Sequence, residues 1–162
     1  MAQTVDVVVV GGGIIGSSIA LFLAESGIKN IVLLEKRFLA AGSSGKSGAI
    51  LRQHYSHPVT VGMARESLLF YASFKEQWGH DIGFRRPGMV LLTSHDQQDQ
   101  LKQNVQLQKS LGVQTEVLDR RGLQEIEPRG EFPEDSIGAW EPEAAYVQPV
   151  RTVFAMTEAA RT

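Results

Sequence analysis

A run of mostly β-branched residues, Val5-Asp6-Val7-Val8-Val9-Val10, ends abruptly in three glycines, Gly11, Gly12 and Gly13. This junction constrains the fold more than any other feature of the chain. The run has the length and near-continuous apolar character of a parallel strand buried on both faces. Ile14 to Ser26 then reads as a helix, with small residues at Gly16, Ser17, Ser18 and Ala20 and a stop at Gly27. Ile31-Val32-Leu33-Leu34 reads as a second buried strand ending at Glu35. Strand, tight turn, helix and parallel strand in this order make a βαβ unit.

The turn Gly11-Gly12-Gly13-Ile14-Ile15-Gly16 satisfies the pattern G-x-G-x-x-G. Gly11 permits the tight turn, Gly13 lets backbone approach a pyrophosphate, and Gly16 lets the helix pack closely on the strands. Phosphate oxygens then meet unpaired N–H groups at the positive end of the helix dipole. Glu35 lies 19 positions beyond Gly16. A carboxylate there accepts hydrogen bonds from ribose hydroxyls and repels a 2′-phosphate. On these residues alone the nucleotide is NAD or FAD.

Three competing readings fail. Val5 to Ala24 is apolar enough to suggest a signal peptide or membrane span, but no Lys or Arg precedes it and the glycines interrupt it. The chain therefore reads as soluble. Ala40-Ala41-Gly42-Ser43-Ser44-Gly45-Lys46-Ser47 resembles a P-loop with Ala for its first Gly, yet Lys36-Arg37-Phe38-Leu39 is a poor buried strand to precede one. A metal site is not expected: Cys is absent, and His54, His57, His80 and His95 form no ligand pattern with carboxylates. A net charge of −2 offers no concentrated basic surface for nucleic acid. The absence of Cys agrees with a cytoplasmic location.

Further along, Pro58 to Trp78 reads as a helix closed by Gly79, with Met63, Phe70, Phe74 and Trp78 on a core face. The texture changes near residue 80. Gly83 to Arg86 and Met89 to Leu92 read as two strands around Pro87-Gly88. Ser94 and Gln97 form a capping box for a polar helix ending before Gly112. Val113 to Leu118 alternates like an edge strand, and Asp119 caps a short helix that stops before Pro128. Ile137 to Trp140 reads as a strand and Arg151 to Thr162 as a helix. The expected architecture is α/β. An incomplete Rossmann-type nucleotide-binding domain, residues 1–79 with 142–162, is interrupted by part of an inserted α+β domain, residues 80–141.

Choosing FAD rests on a resemblance. The segments VVVVGGGIIGSSIALFLAESG and LLEKRFLAAGSSGKSGAILRQHYSHP, with IGFRRPGMVLLTS, LDRRGLQEIEP and AYVQP, resemble the D-amino-acid oxidase-like flavoenzymes. The likeness is to the sarcosine oxidase β-subunit, dimethylglycine dehydrogenase and dye-linked proline dehydrogenase types. It implies a Rossmann-type FAD-binding domain (residues 1–79 with 142–162) and an inserted substrate domain (residues 80–141), with Gly11, Gly13, Ile14, Ile15 and Gly16 holding the diphosphate of FAD and Glu35 and Lys36 at the adenosine ribose. Ser43, Ser44, Lys46, Ser47 and Gly48 would line the pyrophosphate and ribityl chain. Gly48, Ala49 and Ile50 would follow the isoalloxazine edge. Arg52 matches the position that meets a substrate carboxylate, where a guanidinium offers two parallel donors. His54, Tyr55 and His57 are read as capping or packing residues.

The implied activity is oxidation of an amine or amino acid of the N-methyl amino acid, proline or D-amino acid class. A hydride passes from the C–H beside nitrogen to the flavin, leaving an imine that water hydrolyses. Such enzymes are considerably longer than this chain, so the sequence is read as an N-terminal fragment or truncated product. Other subunits, or the remainder of a longer chain, are then its expected partners beside the small substrate. Two alternatives stay open: a non-catalytic FAD-binding or assembly module, and an NAD-dependent dehydrogenase.

Overall fold

The valine run forms strand β1 (Val7–Val10) in the computed structural model, which describes residues 4–161. Helix α1 (Ile14–Glu25) follows the glycine turn, and Gly27 reverses the chain with φ +88°. Strand β2 (Ile31–Leu34) then lies parallel to β1, with Val7 opposite Ile31 and Val10 opposite Leu34. The Gly11 N–H continues this ladder by donating to the Leu34 carbonyl at 2.7 Å. These three elements have the predicted order and nearly the predicted ends.

Burial of β1 differs from expectation. Val9 is buried, but Val8 is 49% and Val10 81% exposed. Among the described residues β1 pairs with β2 alone, so alternate side chains face a layer that is not filled.

The chain divides into two units. The first comprises Met1–Ile50, Ala72–Phe84 and Tyr146–Thr162; the second comprises Leu51–Tyr71 and Arg85–Ala145. Thr162, assigned to the last helix from sequence, lies outside the described residues, as do residues 1–3. In the first unit, helix α5 (Pro149–Ala159) packs on α1. Small side chains permit the approach: buried Ser17 meets buried Thr157 at 3.1 Å between hydroxyls, and Ser18 donates to Met156 Sδ.

In the second unit, strands β4 (Met89–Thr93), β5 (Glu116–Asp119) and β6 (Ile137–Glu141) form an antiparallel sheet with β6 at its centre. Met89 lies opposite Glu141, and Glu116 opposite Trp140. Leu101 and Val105 of helix α3 (Gln98–Ser110) pack on Ala139, with Leu91 and Ile137 at the margin. Helix α4 (Arg120–Ile126) begins as predicted, with Asp119 Oδ1 accepting the Gly122 N–H at 2.9 Å.

Three sequence expectations fail here. The hairpin around Pro87-Gly88 does not form: residues 83–86 hold only an isolated bridge at Arg85, and β4 pairs with β6. Gly83 has φ +69° with its N–H on Asp81 Oδ1, while the Gly88 N–H donates to the Ala144 carbonyl. The capping box is also absent. Ser94 makes no capping bond, and Gln97 ends a short 3₁₀ turn, His95–Gln97, with its Oε1 3.4 Å from Thr93 Oγ1. On helix α2 (Pro58–Trp78) Phe74 is fully buried, but Met63 is 67% exposed and Val61 and Leu68 take core positions instead. Two-residue strands β3 (Ile50–Leu51) and β7 (Ala145–Tyr146) pair with each other. Among the described residues no helix is long and apolar enough to cross a membrane.

Candidate functional site

Four chain segments of the first unit meet at the start of α1. Because Gly16 lies in its first turn, the helix sits against the turn that precedes it: a Cβ on Gly16 would overlap the Gly11 carbonyl oxygen. Gly12 is equally confined. Its N–H donates to Glu35 Oε2 at 2.9 Å, its carbonyl accepts the Ala40 N–H at 2.7 Å, and a Cβ there would press on Leu39 and Glu35. The sequence reading gave Gly12 no role. Its signal was a glycine at the motif's first free position, which the motif does not require.

An α-helix leaves its first N–H groups without internal acceptors. Here the Ile14 N–H is taken by Ser44 Oγ at 2.9 Å, from 30 positions away. Ser44 opens a 3₁₀ turn, Ser44–Lys46, held in place as the Gly45 N–H donates to the Ala40 carbonyl. Ala40 adopts φ +62°, a strained conformation for a side chain-bearing residue, to present that carbonyl. Among the described residues the N–H groups of Gly13, Ile15 and Gly16 have no protein acceptor. They face the anion-attracting end of the helix dipole.

A groove of about 780 Å³ opens over them, lined by Gly13 to Gly16, Ser43, Ser44 and Ser47. All four residues of β1 also line it, those of both faces, so the groove runs along the strand's unpaired edge. The P-loop reading of residues 40–47 finds no support, because a three-residue turn replaces the long helix it needs.

Glu35 is held by backbone. Its Oε2 takes the Gly12 N–H and its Oε1 the Arg37 N–H at 2.9 Å. These amides, Gly12 foremost, hold the carboxyl below its ordinary value. Each carboxylate oxygen retains a second acceptor site. The acid therefore remains charged and has capacity for two hydroxyl donors. Glu35 also lines a cavity of about 420 Å³ with Ile31, Leu33, Phe38 and Leu39.

Not every expected residue joins this cradle. Lys36 and Lys46 are exposed and line neither cavity. Gly48, Ala49 and Ile50 lie beyond the groove lining; Ala49 has φ +47°, its N–H on Ser47 Oγ at 2.9 Å, and Ile50 is 64% exposed. Arg52 belongs to the second unit, exposed, its guanidinium 5.5 Å from the Tyr55 ring centre and without a carboxylate partner among the described residues. His54 is buried, and burial, then the Arg52 charge, holds it below its ordinary value. His57 caps α2, accepting the Val59 N–H at Nδ1. No cluster of His, Asp and Glu among the described residues suits a metal ion.

The cradle fits FAD: free amides for a diphosphate, small serines beside them, and a charged acid at the end of β2. Comparison with known proteins agrees. The family described as FAD dependent oxidoreductase matches residues 6–162. Human mitochondrial dimethylglycine dehydrogenase is 28% identical over 160 residues, covering 96% of this chain and 18% of its own length. The sarcosine oxidase β-subunit of Arthrobacter sp is 32% identical over 129 residues, covering 78% of this chain and 32% of its own. The crystal structure of L-proline dehydrogenase from P. horikoshii superposes with a TM-score of 0.90 at 26% identity, covering 99% of this chain and 42% of that one. The chain thus spans less than half the length of each of these relatives. Glycine turn, acid and family match converge: this chain belongs to the FAD dependent oxidoreductase family.

Proposed function

We propose that the chain is the FAD-holding portion of an enzyme that oxidises an amine or amino acid of the N-methyl amino acid, proline or D-amino acid class. The start of α1 carries the reading, because three unpaired amides there stand beside Ser43, Ser44 and Ser47 in one groove. The Gly13, Ile15 and Gly16 amides receive the diphosphate. Gly11 shapes the turn, and Ile14 contributes position while its own amide stays with Ser44. Glu35 accepts the adenosine ribose hydroxyls, with Lys36 beside it. Ser47, Lys46 and Gly48 serve the ribityl chain, and Ala49 with Ile50 the ring edge.

When bound, FAD supplies a hydride acceptor for the C–H beside the substrate nitrogen. Arg52 binds the substrate carboxylate; its guanidinium is exposed, lies over the Tyr55 ring and has no acidic partner among the described residues. Neutral His54 next to it adds no second cation to the site.

Binding of FAD and of NAD to the purified chain, measured by equilibrium dialysis, tests the cofactor assignment. FAD should be retained in preference, and equal or preferential uptake of NAD would sink it. Anaerobic bleaching of the flavin by L-proline or N-methylglycine then tests the substrate class. Arg52→Met should weaken bleaching by the amino acid on the order of 30- to 1,000-fold while keeping the flavin spectrum. Pyrrolidine, which lacks the carboxylate, should be affected much less.

A further inference from the structure

Arg52 begins a four-residue segment, Arg52-Gln53-His54-Tyr55, that buried polar side chains grip from two distant elements of the same unit. Glu141, the last residue of β6 and 1% exposed, accepts the Gln53 backbone N–H at 2.7 Å and Gln53 Nε2 at 3.2 Å. Gln108 of α3, fully buried, donates from Nε2 to the Tyr55 carbonyl at 3.0 Å. The Tyr55 N–H donates to the Gln53 carbonyl at 2.9 Å, closing the segment into a turn. The turn sets the Tyr55 ring beneath the Arg52 guanidinium. A carboxyl group 88 positions away thus holds the peptide bond that directly follows Arg52.

Among the described residues two buried acceptors of this pair have no hydrogen-bond partner: Glu141 Oε2 and Gln53 Oε1. Leaving both idle in a dry site is costly, and leaving one of them charged more so.

We propose that Glu141 is a positioning residue for Arg52, fixing through Gln53 the peptide from which the guanidinium projects. The proposal rests on the reading of Arg52 as the substrate-carboxylate residue. The Glu141 carboxyl is buried together with the segment it holds. Burial pushes its carboxyl up, and Glu143 opposes its ionisation further, against the smaller effect of the Gln53 and His54 amides. His54, held below its ordinary value, brings no cation to reverse this.

Glu141→Gln and Glu141→Leu distinguish the roles. Glutamine keeps an acceptor oxygen for the Gln53 N–H, whereas leucine offers none. Amide hydrogen exchange on the 162-residue chain should quicken at Gln53 on the order of tenfold in Glu141→Leu, and return close to the unsubstituted rate in Glu141→Gln. With FAD bound, Glu141→Leu should raise KM for L-proline on the order of tenfold with little change for pyrrolidine, and Glu141→Gln should restore it.

Unchanged Gln53 exchange in a folded Glu141→Leu chain would overturn the proposal, as would damage from Glu141→Gln equal to that from leucine. Should the leucine variant not fold, Gln53 exchange in Glu141→Gln decides the matter: fast exchange overturns the proposal. If Arg52→Met leaves the preference for L-proline over pyrrolidine intact, the substrate reading falls by itself. Gln53 exchange then decides separately whether Glu141 fixes the segment.

Discussion

The Gly12 N–H donates to Glu35 Oε2 at 2.9 Å, tying the acid at the end of β2 to the glycine turn at the end of β1. One side chain therefore has two tasks: it holds the turn in shape, and it offers its remaining lone pairs to a ribose. Glu35→Ala removes both. FAD affinity should fall on the order of tenfold, as measured by fluorescence titration, with a lower Tm in the FAD-free chain as well. Because the folded carboxyl lies below its ordinary 4.5, its contribution is complete above that value and lost as pH falls through the folded one. Thermal scans between pH 6 and about 3 should show a steeper decline in the unsubstituted chain than in Glu35→Ala.

Gly16 and Gly42 form a matched pair of glycines with opposite surroundings. A Cβ on Gly16 would strike the Gly11 carbonyl, while Gly42 has open space and no left-handed φ. Gly16→Ala should cost about 1–3 kcal/mol in urea unfolding, as α1 is pushed away from β1. Gly42→Ala should leave stability within about 0.5 kcal/mol. Equal effects would show that α1 does not rest on the turn.

Ser44 reaches across 30 positions to cap the Ile14 N–H. Ser44→Ala should cost about 0.5–2 kcal/mol and speed hydrogen exchange at Ile14 selectively. Exchange at Ser26, whose N–H bonds within the far end of the helix region, serves as the internal control.

In the second unit pH acts with opposite sign through two groups. The folded value of His54 lies below 6.5, so its contribution is present above that pH and lost as pH falls through the folded value. The folded value of Glu141 lies above 4.5, so its contribution is present below that pH and lost as pH rises through the folded value. Urea unfolding at stepped pH should therefore lose an acid-side slope in His54→Gln and a rising-pH penalty in Glu141→Gln. A pH profile unchanged by either substitution would mean that neither group titrates differently in the folded state.

Much of the secondary structure was legible in the sequence because its signals are local. The valine run, the glycines, and the stops at Gly27 and Gly79 each act through the conformational preference of a residue or its nearest neighbours, and Asp119 caps α4 only three positions on. The same is true of helix α2, whose ends at Pro58 and Trp78 were read correctly although Met63 was given the wrong face. Which side of a helix is buried depends on what lies beside it, and periodicity alone does not contain that.

The local strand–turn–helix–strand pattern and its acid were determined by sequence. Tertiary structure decided the partners: Ser44 for Ile14, Gly12 for Glu35, β6 instead of residues 83–86 for β4, and Glu141 for the peptide after Arg52. Each of these choices joins groups from 23 to 88 positions apart. An N–H or a carboxyl signals only that it needs a partner. Which partner it finds is settled when packing brings one of many equivalent acceptors within 3 Å and dries the space around it.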